Sequence, residues 1–359
     1  MEQFGFVGLP NAGKSSLFNA LAGGGALAAP YPFATKDKNV GRARVPDHRL
    51  DALAAMSKSR SVVPATVEFV DIGGLVEGAS EGEGLGNRFL ADIREVDAVV
   101  YVLRAFEDDD VMGPSDPLDH LETVETELCL ADLATVESQA YKRAKAAKLD
   151  KSVAAEVLAL EAARQELAKG TPLYRSGLDA ETRQLLRSAF LLTDKPVLAV
   201  VNVGEGDLDR LDERAAPVAA HLGGFAEVLP MCVQLEAETA QLEDEAERLE
   251  LAEALGLGEG ALPRFVHGAY HLLGRRTFLT TGEKESRAWT FRAGARAPEC
   301  AGLIHSDLQR GFIRAETIRW DDLLGFGSWS KARDAGKIRS EGKDYEVQDG
   351  DTLEIRFNV

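Results

Sequence analysis

The stretch Gly8-Leu9-Pro10-Asn11-Ala12-Gly13-Lys14-Ser15-Ser16 decides the fold of this chain. It matches the pattern G-x-x-x-x-G-K-[ST], a loop whose backbone N–H groups surround phosphate oxygens. In that pattern Lys14 reaches the β- and γ-phosphates and the Ser15 hydroxyl ligates Mg²⁺. Residues 4–7 have the apolar character of a buried strand and residues 16–21 that of a helix. This strand–loop–helix order predicts a nucleoside triphosphate site near the amino terminus.

Composition and charge narrow the class of protein. The 359 residues carry a net charge of −18 and are 45% hydrophobic, which predicts a globular chain with room for two or three domains. From Arg276 onward acidic and basic residues are equal in number, so the acidic excess precedes that position. We therefore expect no DNA partner, and a contact with RNA is easier to place on the tail or a local basic stretch than on the body of the protein.

The sequence also argues against a membrane protein. No basic and apolar leader precedes the first strand, and the longest uncharged stretch, between Lys14 and Lys36, contains a glycine triplet and two prolines. The three cysteines are far apart and lack metal-ligand spacing, which suits a reducing compartment. We expect a cytoplasmic protein without a membrane partner.

Two stretches after the loop have the features of nucleotide switches. Thr35 follows a proline-bearing loop and is a candidate ligand for Mg²⁺ and the γ-phosphate, although a loop threonine is often only a turn former. The alternating strand at 66–70 ends in Asp71, which can hold the metal through water, while Gly74 can offer its N–H to the γ-phosphate. The glycine-rich residues 76–86 then predict a second switch segment.

Position 75 predicts slow hydrolysis. GTPases of the Ras type have a water-orienting glutamine there, whereas this chain has Leu75, which cannot form a hydrogen bond. Another side chain, a backbone group, a monovalent cation or a partner must then orient the water.

The base site follows the apolar strand at 197–201. A guanine-specific domain would have Asn-Lys-x-Asp there, but this chain has Asn202-Val203-Gly204-Glu205 and so lacks the lysine and the aspartate. Asn202 can still pair with N7 and the exocyclic amine of adenine. The sequence therefore favours ATP, with Met231, near the end of the strand at 227–232, as a further contact to the base.

The remaining sequence predicts a helical insertion and a small tail domain. Residues 118–169 have helical periodicity and fit two antiparallel helices with a turn near Leu149 and Asp150. Their basic residues fit a solvated face at least as well as an RNA or protein contact. The short apolar runs after Arg276 predict an α+β module with a mixed sheet.

Motifs along almost the whole chain resemble the YchF/Obg-like ATPase family. They are Gly8 to Ser16, Tyr31-Pro32-Phe33, Asp71-Ile72-Gly73-Gly74-Leu75, Phe106-Glu107-Asp108-Asp109-Asp110, Asn202 to Glu205, Arg287-Ala288-Trp289-Thr290 and Phe357-Asn358-Val359. The resemblance implies an α/β fold: a P-loop NTPase domain with a doubly wound, mainly parallel sheet, an inserted coiled-coil-like helical hairpin and a carboxyl-terminal ubiquitin-like (β-grasp) TGS domain. The expected ranges are 1–275 for the first domain, interrupted by the insertion at 118–190, and 276–359 for the TGS domain.

The resemblance also implies roles for individual residues. ATP should contact Asn11, Ala12, Gly13, Lys14, Ser15 and Ser16 with its phosphates, and Asn202, Val203 and Met231 with its base. Mg²⁺ should be held by Ser15, Thr35 and Asp71, and the expected catalytic residues are Lys14, Thr35 and Gly74. Asn11 also matches an asparagine that coordinates K⁺ in related GTPases. Family members often have a histidine after the acidic run, but Val111-Met112-Gly113 follows here, and no catalytic histidine is assigned.

Three functions remain open at this point. The first is a slow ribosome-binding ATPase, contacting the large subunit and linked to translation and stress responses. The second is a GTP-specific Obg-like switch. The third is a scaffold that holds a nucleotide but scarcely hydrolyses it.

Overall fold

The computed structural model describes residues 3–22, 39–72, 85–108, 113–147, 150, 153–242, 244–258 and 260–358. The chain forms two compact units. Unit 1 is Met1–Ala43 with Glu68–Phe265, and unit 2 is Arg44–Val67 with Val266–Val359.

Strands and helices alternate through unit 1. The strands of the chain are β1 Gln3–Val7, β2 Asn39–Arg44, β3 Ser61–Val63, β4 Thr66–Asp71, β5 Ala98–Arg104, β6 Val197–Asn202, β7 Glu227–Met231, β8 Arg275–Thr280, β9 Glu285–Arg292, β10 Phe312–Arg319, β11 Arg339–Glu341 and β12 Asp351–Phe357. The α-helices are α1 Lys14–Ala22, α2 His48–Ser57, α3 Leu85–Glu95, α4 Pro117–Ala147, α5 Ala154–Ala168, α6 Ala180–Leu186, α7 Leu211–Leu222, α8 Val233–Ala240, α9 Glu245–Ala254, α10 Ala261–Leu272, α11 Ala297–Ile304, α12 Ser306–Arg310, α13 Trp320–Phe326 and α14 Trp329–Asp334. Among the described residues, no helix has the length and apolar character needed to cross a membrane.

The sheet of unit 1 has the strand order β2-β4-β1-β5-β6-β7. β1 is parallel to both β4 and β5, and β6 is parallel to both β5 and β7. Every residue of β5 and β6 is buried, as expected for parallel strands covered on both faces. The carboxyl ends of these five strands therefore meet at one edge of the sheet, and the predicted parallel sheet is confirmed.

Helices pack against this sheet through an apolar core. Tyr101 and Leu103 of β5 and Val201 of β6 are buried together with Leu128 of α4 and Val218 of α7. Burial of such side chains contributes roughly 1.5–3 kcal/mol each. The core therefore fixes the strand ends that carry the predicted site.

The region predicted to be helical contains α4 and α5. Val136 of α4 packs with Leu160 and Ala163 of α5, and the Arg143 Nε atom lies 3.1 Å from Glu156 Oε2. Both predicted helices are therefore present. The buried carboxylate of Asp132 accepts hydrogen bonds from the backbone N–H groups of residues 192 and 193.

Unit 2 contains a mixed sheet in the order β11-β10-β12-β8-β9-β3. β10 is antiparallel to β11 and β12, β8 is antiparallel to β9, and β12 is parallel to β8. Phe278, Phe291 and Leu353 of this sheet pack with Cys300 and Ala301 of α11. The predicted mixed α+β module is therefore confirmed.

Residues 44–67 belong to this carboxyl-terminal unit although they lie near the start of the chain. β3 pairs in parallel with β9, and the Arg60 N–H donates to Glu283 O at 3.0 Å. The Arg49 Nη1 atom also lies 2.7 Å from Asp349 Oδ2. The units therefore differ from the expected ranges 1–275 and 276–359, because long-range pairing of β3 leaves no signal in its three-residue sequence.

Candidate nucleotide-binding site

The loop between β1 and α1 has a backbone that depends on glycine at two positions. A Cβ atom on Gly8 would lie 2.3 Å from Val102 O, and one on Gly13 would lie 2.3 Å from Asn202 Nδ2. Gly13 also has a φ of +100°, which L side chains rarely adopt. The loop is thus packed against β5 and β6, and α1 begins directly after it at Lys14.

The side chain of Lys14 folds back onto the phosphate loop. It is buried, and its ammonium group donates to Gly8 O at 3.0 Å and to Leu9 O at 2.7 Å. Burial lowers the pKa of Lys14 to about 8, and the nearby charge of Asp71 raises it in part. Such a desolvated cation with a third N–H is well suited to bind a phosphate oxygen.

Ser15 and Asp71 come together from different elements. The Ser15 Oγ atom, on the first turn of α1, donates to Asp71 Oδ2 at the end of β4 across 3.1 Å. Hydroxyl and carboxylate oxygens are hard ligands of the kind Mg²⁺ prefers. In the part of the chain that the structure describes, no three His, Cys, Asp or Glu side chains form a metal cage. The pair therefore fits an Mg²⁺ ion that takes its other ligands from phosphates and water.

Asn202 connects three parts of the site. Its Nδ2 atom donates to Ala12 O at 3.0 Å, and its Oδ1 atom accepts from the N–H of Val233 at 3.1 Å. The side chain is therefore a bridge between the loop, the end of β6 and the start of α8. One Nδ2 proton remains for a ligand.

These residues line a cleft of about 690 Å³. Its lining residues are Asn11, Gly13, Lys14, Ser15, Ser16, Phe106, Glu107, Asp108, Asn202, Val203, Gly204, Glu205, Cys232, Val233, Gln234, Ala237 and Glu238. The volume is in the range of small-molecule sites. The cleft thus brings the loop together with the ends of β5, β6 and β7.

Three of the predicted site residues that the structure describes do not line this cleft. Ala12 is a fully buried residue of the loop itself, and Asp71 contacts Ser15 from the end of β4. Met231 is 1% exposed, and its carbonyl oxygen accepts from the Val203 N–H at 3.0 Å. The residues after Met231 face the cleft in its place, because β7 ends at that position. Thr35 lies outside the described residues, as do Gly74 and Leu75 of the second predicted switch.

Sequence reasoning assigned no role to two parts of the wall. Phe106, Glu107 and Asp108 follow β5, where the parallel sheet could have suggested ligand contacts. The other part is the first half of α8, which has no phosphate-loop or base motif. It is held in the cleft by the hydrogen bond between Asn202 and the Val233 N–H and by packing against α1.

Two family models match the chain. Residues 3–136 match a model described as "50S ribosome-binding GTPase", and residues 276–358 match the model YchF-GTPase_C, described as "Protein of unknown function (DUF933)". The first match extends into α4, and the second begins in β8.

Full-length relatives agree with these matches. The chain is 47% identical to the "Ribosome-binding ATPase YchF" of Bacillus subtilis and 45% identical to that of Escherichia coli O157:H7, in each case over 99% of both chains. Among solved structures it is similar to the Schizosaccharomyces pombe YchF GTPase, with a TM-score of 0.88 and 33% identity over 99% of this chain and 97% of that one. The chain has a P-loop GTPase fold and belongs to the YchF family.

Proposed function

We propose that this protein is a ribosome-binding ATPase that hydrolyses ATP slowly to ADP and phosphate and acts as an Mg²⁺-dependent switch in translation and stress responses. The observation that carries the proposal is the convergence of Lys14, the Ser15–Asp71 pair and Asn202 around one cleft. The names of the bacterial relatives support ATP as the nucleotide and the ribosome as the partner. Ribosome binding would place the protein in the cytoplasm.

Phosphates and metal occupy the loop side of the cleft in this proposal. Residues Asn11 to Ser16 surround the phosphates, and Lys14 neutralises charge on the β- and γ-oxygens. Ser15 and Thr35 would hold Mg²⁺ together with Asp71, and the ion would supply positive charge at the γ-phosphate. Gly74 donates its N–H to that phosphate. Asp71 also orients the Ser15 hydroxyl, as their 3.1 Å contact indicates.

The base lies beside Asn202 and Val203, with Met231 behind them. One Nδ2 proton and one Oδ1 lone pair of Asn202 already bind protein groups, so the remaining N–H donates to N7, which adenine and guanine share. Discrimination must then arise where a guanine-specific domain has aspartate and this chain has Glu205. The longer side chain displaces the carboxylate from the guanine edge, so ATP binds better than GTP.

The GTP-specific alternative has its own support. One matching family model is described as a GTPase, and so is the Schizosaccharomyces pombe relative. Initial rates of phosphate release from equal concentrations of ATP and GTP distinguish the ATPase hypothesis from the GTPase hypothesis. Faster turnover of ATP supports our proposal, whereas turnover of GTP alone would replace it.

Two further assignments concern domains and a second cation. We assign α4 and α5 to the inserted hairpin and the mixed sheet of unit 2 to a β-grasp TGS domain, with the large ribosomal subunit as the partner. Asn11, which has a φ of 62° and lines the cleft, is the candidate ligand of K⁺ that compensates for Leu75. Equal turnover in Na⁺ and K⁺ would remove this role.

Substitution of Lys14 separates an enzyme from a scaffold. We expect Lys14→Ala to lose nucleotide binding and turnover while it still sediments with 50S subunits. Lys169→Ala serves as a control, because Lys169 is exposed at the carboxyl end of α5 and forms a surface ion pair with Glu166. A wild-type protein that binds ATP without measurable phosphate release over hours would favour the scaffold.

A further inference from the structure

Arg104 is a buried cation at the edge of the candidate site. It is the last residue of β5, stands opposite Asn202 of β6 in the sheet register, and is 2% exposed. The mechanism above gives it no role. A buried guanidinium is retained only where hydrogen bonds compensate for its lost hydration.

Two of its hydrogen bonds reach the segment that follows β5. The Nε atom donates to Phe106 O at 3.0 Å and Nη1 donates to Gly113 O at 3.4 Å. The central carbon of the guanidinium also lies 4.8 Å from the centroid of the Phe106 ring, a cation–π contact. Arg104 therefore fixes both the backbone and the ring of Phe106.

Phe106 in turn forms the cleft wall beside the base motif. It lines the cleft, and a Cβ atom placed on Gly204 would lie only 3.4 Å from Phe106 Cβ. The preceding Ala105 N–H donates to Asn202 O at 2.8 Å. The backbone of this segment is thus held against the end of β6, and the ring lies against the guanidinium.

We propose that Arg104 is a positioning residue for the nucleotide base, acting through Phe106. The inference rests on the proposed nucleotide binding. It adds a residue that holds the cleft wall next to the base in place. Arginine suits this place because a planar guanidinium stacks on the ring while its edge donates to two carbonyl groups. The compact ammonium of lysine cannot do both. Loss of Arg104 should weaken contacts to the base and leave contacts to the phosphates intact.

The test compares two ligands and two buried cations. Affinity is measured for Mg²⁺-ATP and for Mg²⁺-tripolyphosphate, which has no base, with wild type, Arg104→Met and Lys195→Met. Lys195 is the control, because it is a half-buried cation that also donates to backbone carbonyl groups, those of Arg94 and Val96. These groups lie before the start of β5, and Arg104 lies at its other end, about 20 Å further along at a strand rise of about 3.3 Å per residue.

We expect Arg104→Met to weaken ATP binding about tenfold, the size of a lost cation–π contact with its hydrogen bonds, and to leave tripolyphosphate binding within about twofold. KM for ATP should rise by a similar factor with kcat nearly unchanged. Lys195→Met should alter neither affinity. Arg104→Lys should weaken ATP binding by less than Arg104→Met and should leave tripolyphosphate binding unchanged. This second variant keeps the test decisive even if the methionine variant does not fold.

Equal losses for both ligands, or no loss for either, would overturn the role of Arg104. So would an Arg104→Lys variant with full ATP affinity. A wild-type protein that binds neither ligand would instead contradict the proposed function, so the two failures can be distinguished.

Discussion

The cleft and a cluster around Glu125 are two groups of buried polar side chains in unit 1, and they use their hydrogen bonds differently. In the cleft, Lys14 and Asn202 bind backbone atoms of the loop and each keeps an N–H for a ligand. The Glu125 carboxylate of α4, in contrast, receives the Tyr174 hydroxyl at 2.5 Å, Arg175 Nη2 at 2.7 Å and His221 Nε2 at 3.1 Å.

This contrast separates a ligand site from a structural cluster. Fully paired groups such as Glu125 join α4 to the segments around it, so their loss should lower stability. Groups with spare donors beside a cleft bind ligands, so their loss should lower affinity. The first prediction below therefore measures both quantities.

The largest expected effect is on stability. Glu125→Ala leaves the buried Tyr174 hydroxyl and the Arg175 guanidinium without their common acceptor, and we expect about 3 kcal/mol of lost unfolding free energy in urea titrations. ATP affinity of the folded fraction should not change. Glu161→Ala, which removes an exposed carboxylate of α5, should leave the urea midpoint where it is. A Glu125→Ala protein with wild-type stability, or with selectively impaired ATP binding, would contradict the distinction between the structural cluster and the ligand site.

A smaller effect concerns the pH dependence of ATP affinity. Burial holds the pKa of Lys14 near 8 without ligand, and a bound triphosphate favours the charged form, so binding takes up a proton above that pH. Affinity should be constant from about pH 7 to 8 and then fall by up to about tenfold per pH unit. Calorimetry in buffers of different ionisation enthalpy measures the proton uptake directly. Constant affinity up to pH 9.5 would show that Lys14 does not titrate in this range.

The smallest effect is expected at Glu316 in unit 2. Its hydrogen bonds from Arg356 and Arg333 lower its pKa to about 2, so the stabilisation is present above about pH 4.5 and is lost as the pH falls towards 2. The two arginines are 42% and 47% exposed, so solvent screens the interaction to about 1 kcal/mol or less. We expect Glu316→Gln to lower unfolding free energy by that amount at pH 7 and by only about a quarter of it at pH 2.5. An equal loss at both pH values would point to packing instead of charge.

The phosphate loop, Asp71 and Asn202 could be placed from sequence because each follows an apolar strand, and parallel strands bring their carboxyl ends to one edge. Met231, which was predicted to contact the base, lies one residue before the cleft wall. A strand pattern in the sequence does not fix the residue at which the strand ends. The wall from α8 depends on a long-range hydrogen bond to Asn202 and on packing against α1, and the place of β3 in unit 2 depends on pairing with β9. Neither leaves a local pattern, so sequence alone could not reveal them.

The central claim is that the cleft binds Mg²⁺-ATP and prefers it to GTP. Calorimetric titration of the purified full-length protein with each nucleotide in excess Mg²⁺ tests it directly. We predict one site per chain for ATP and a weaker affinity for GTP. Much tighter binding of GTP would contradict the base assignment, and the absence of binding by either nucleotide would contradict the assignment of the cleft.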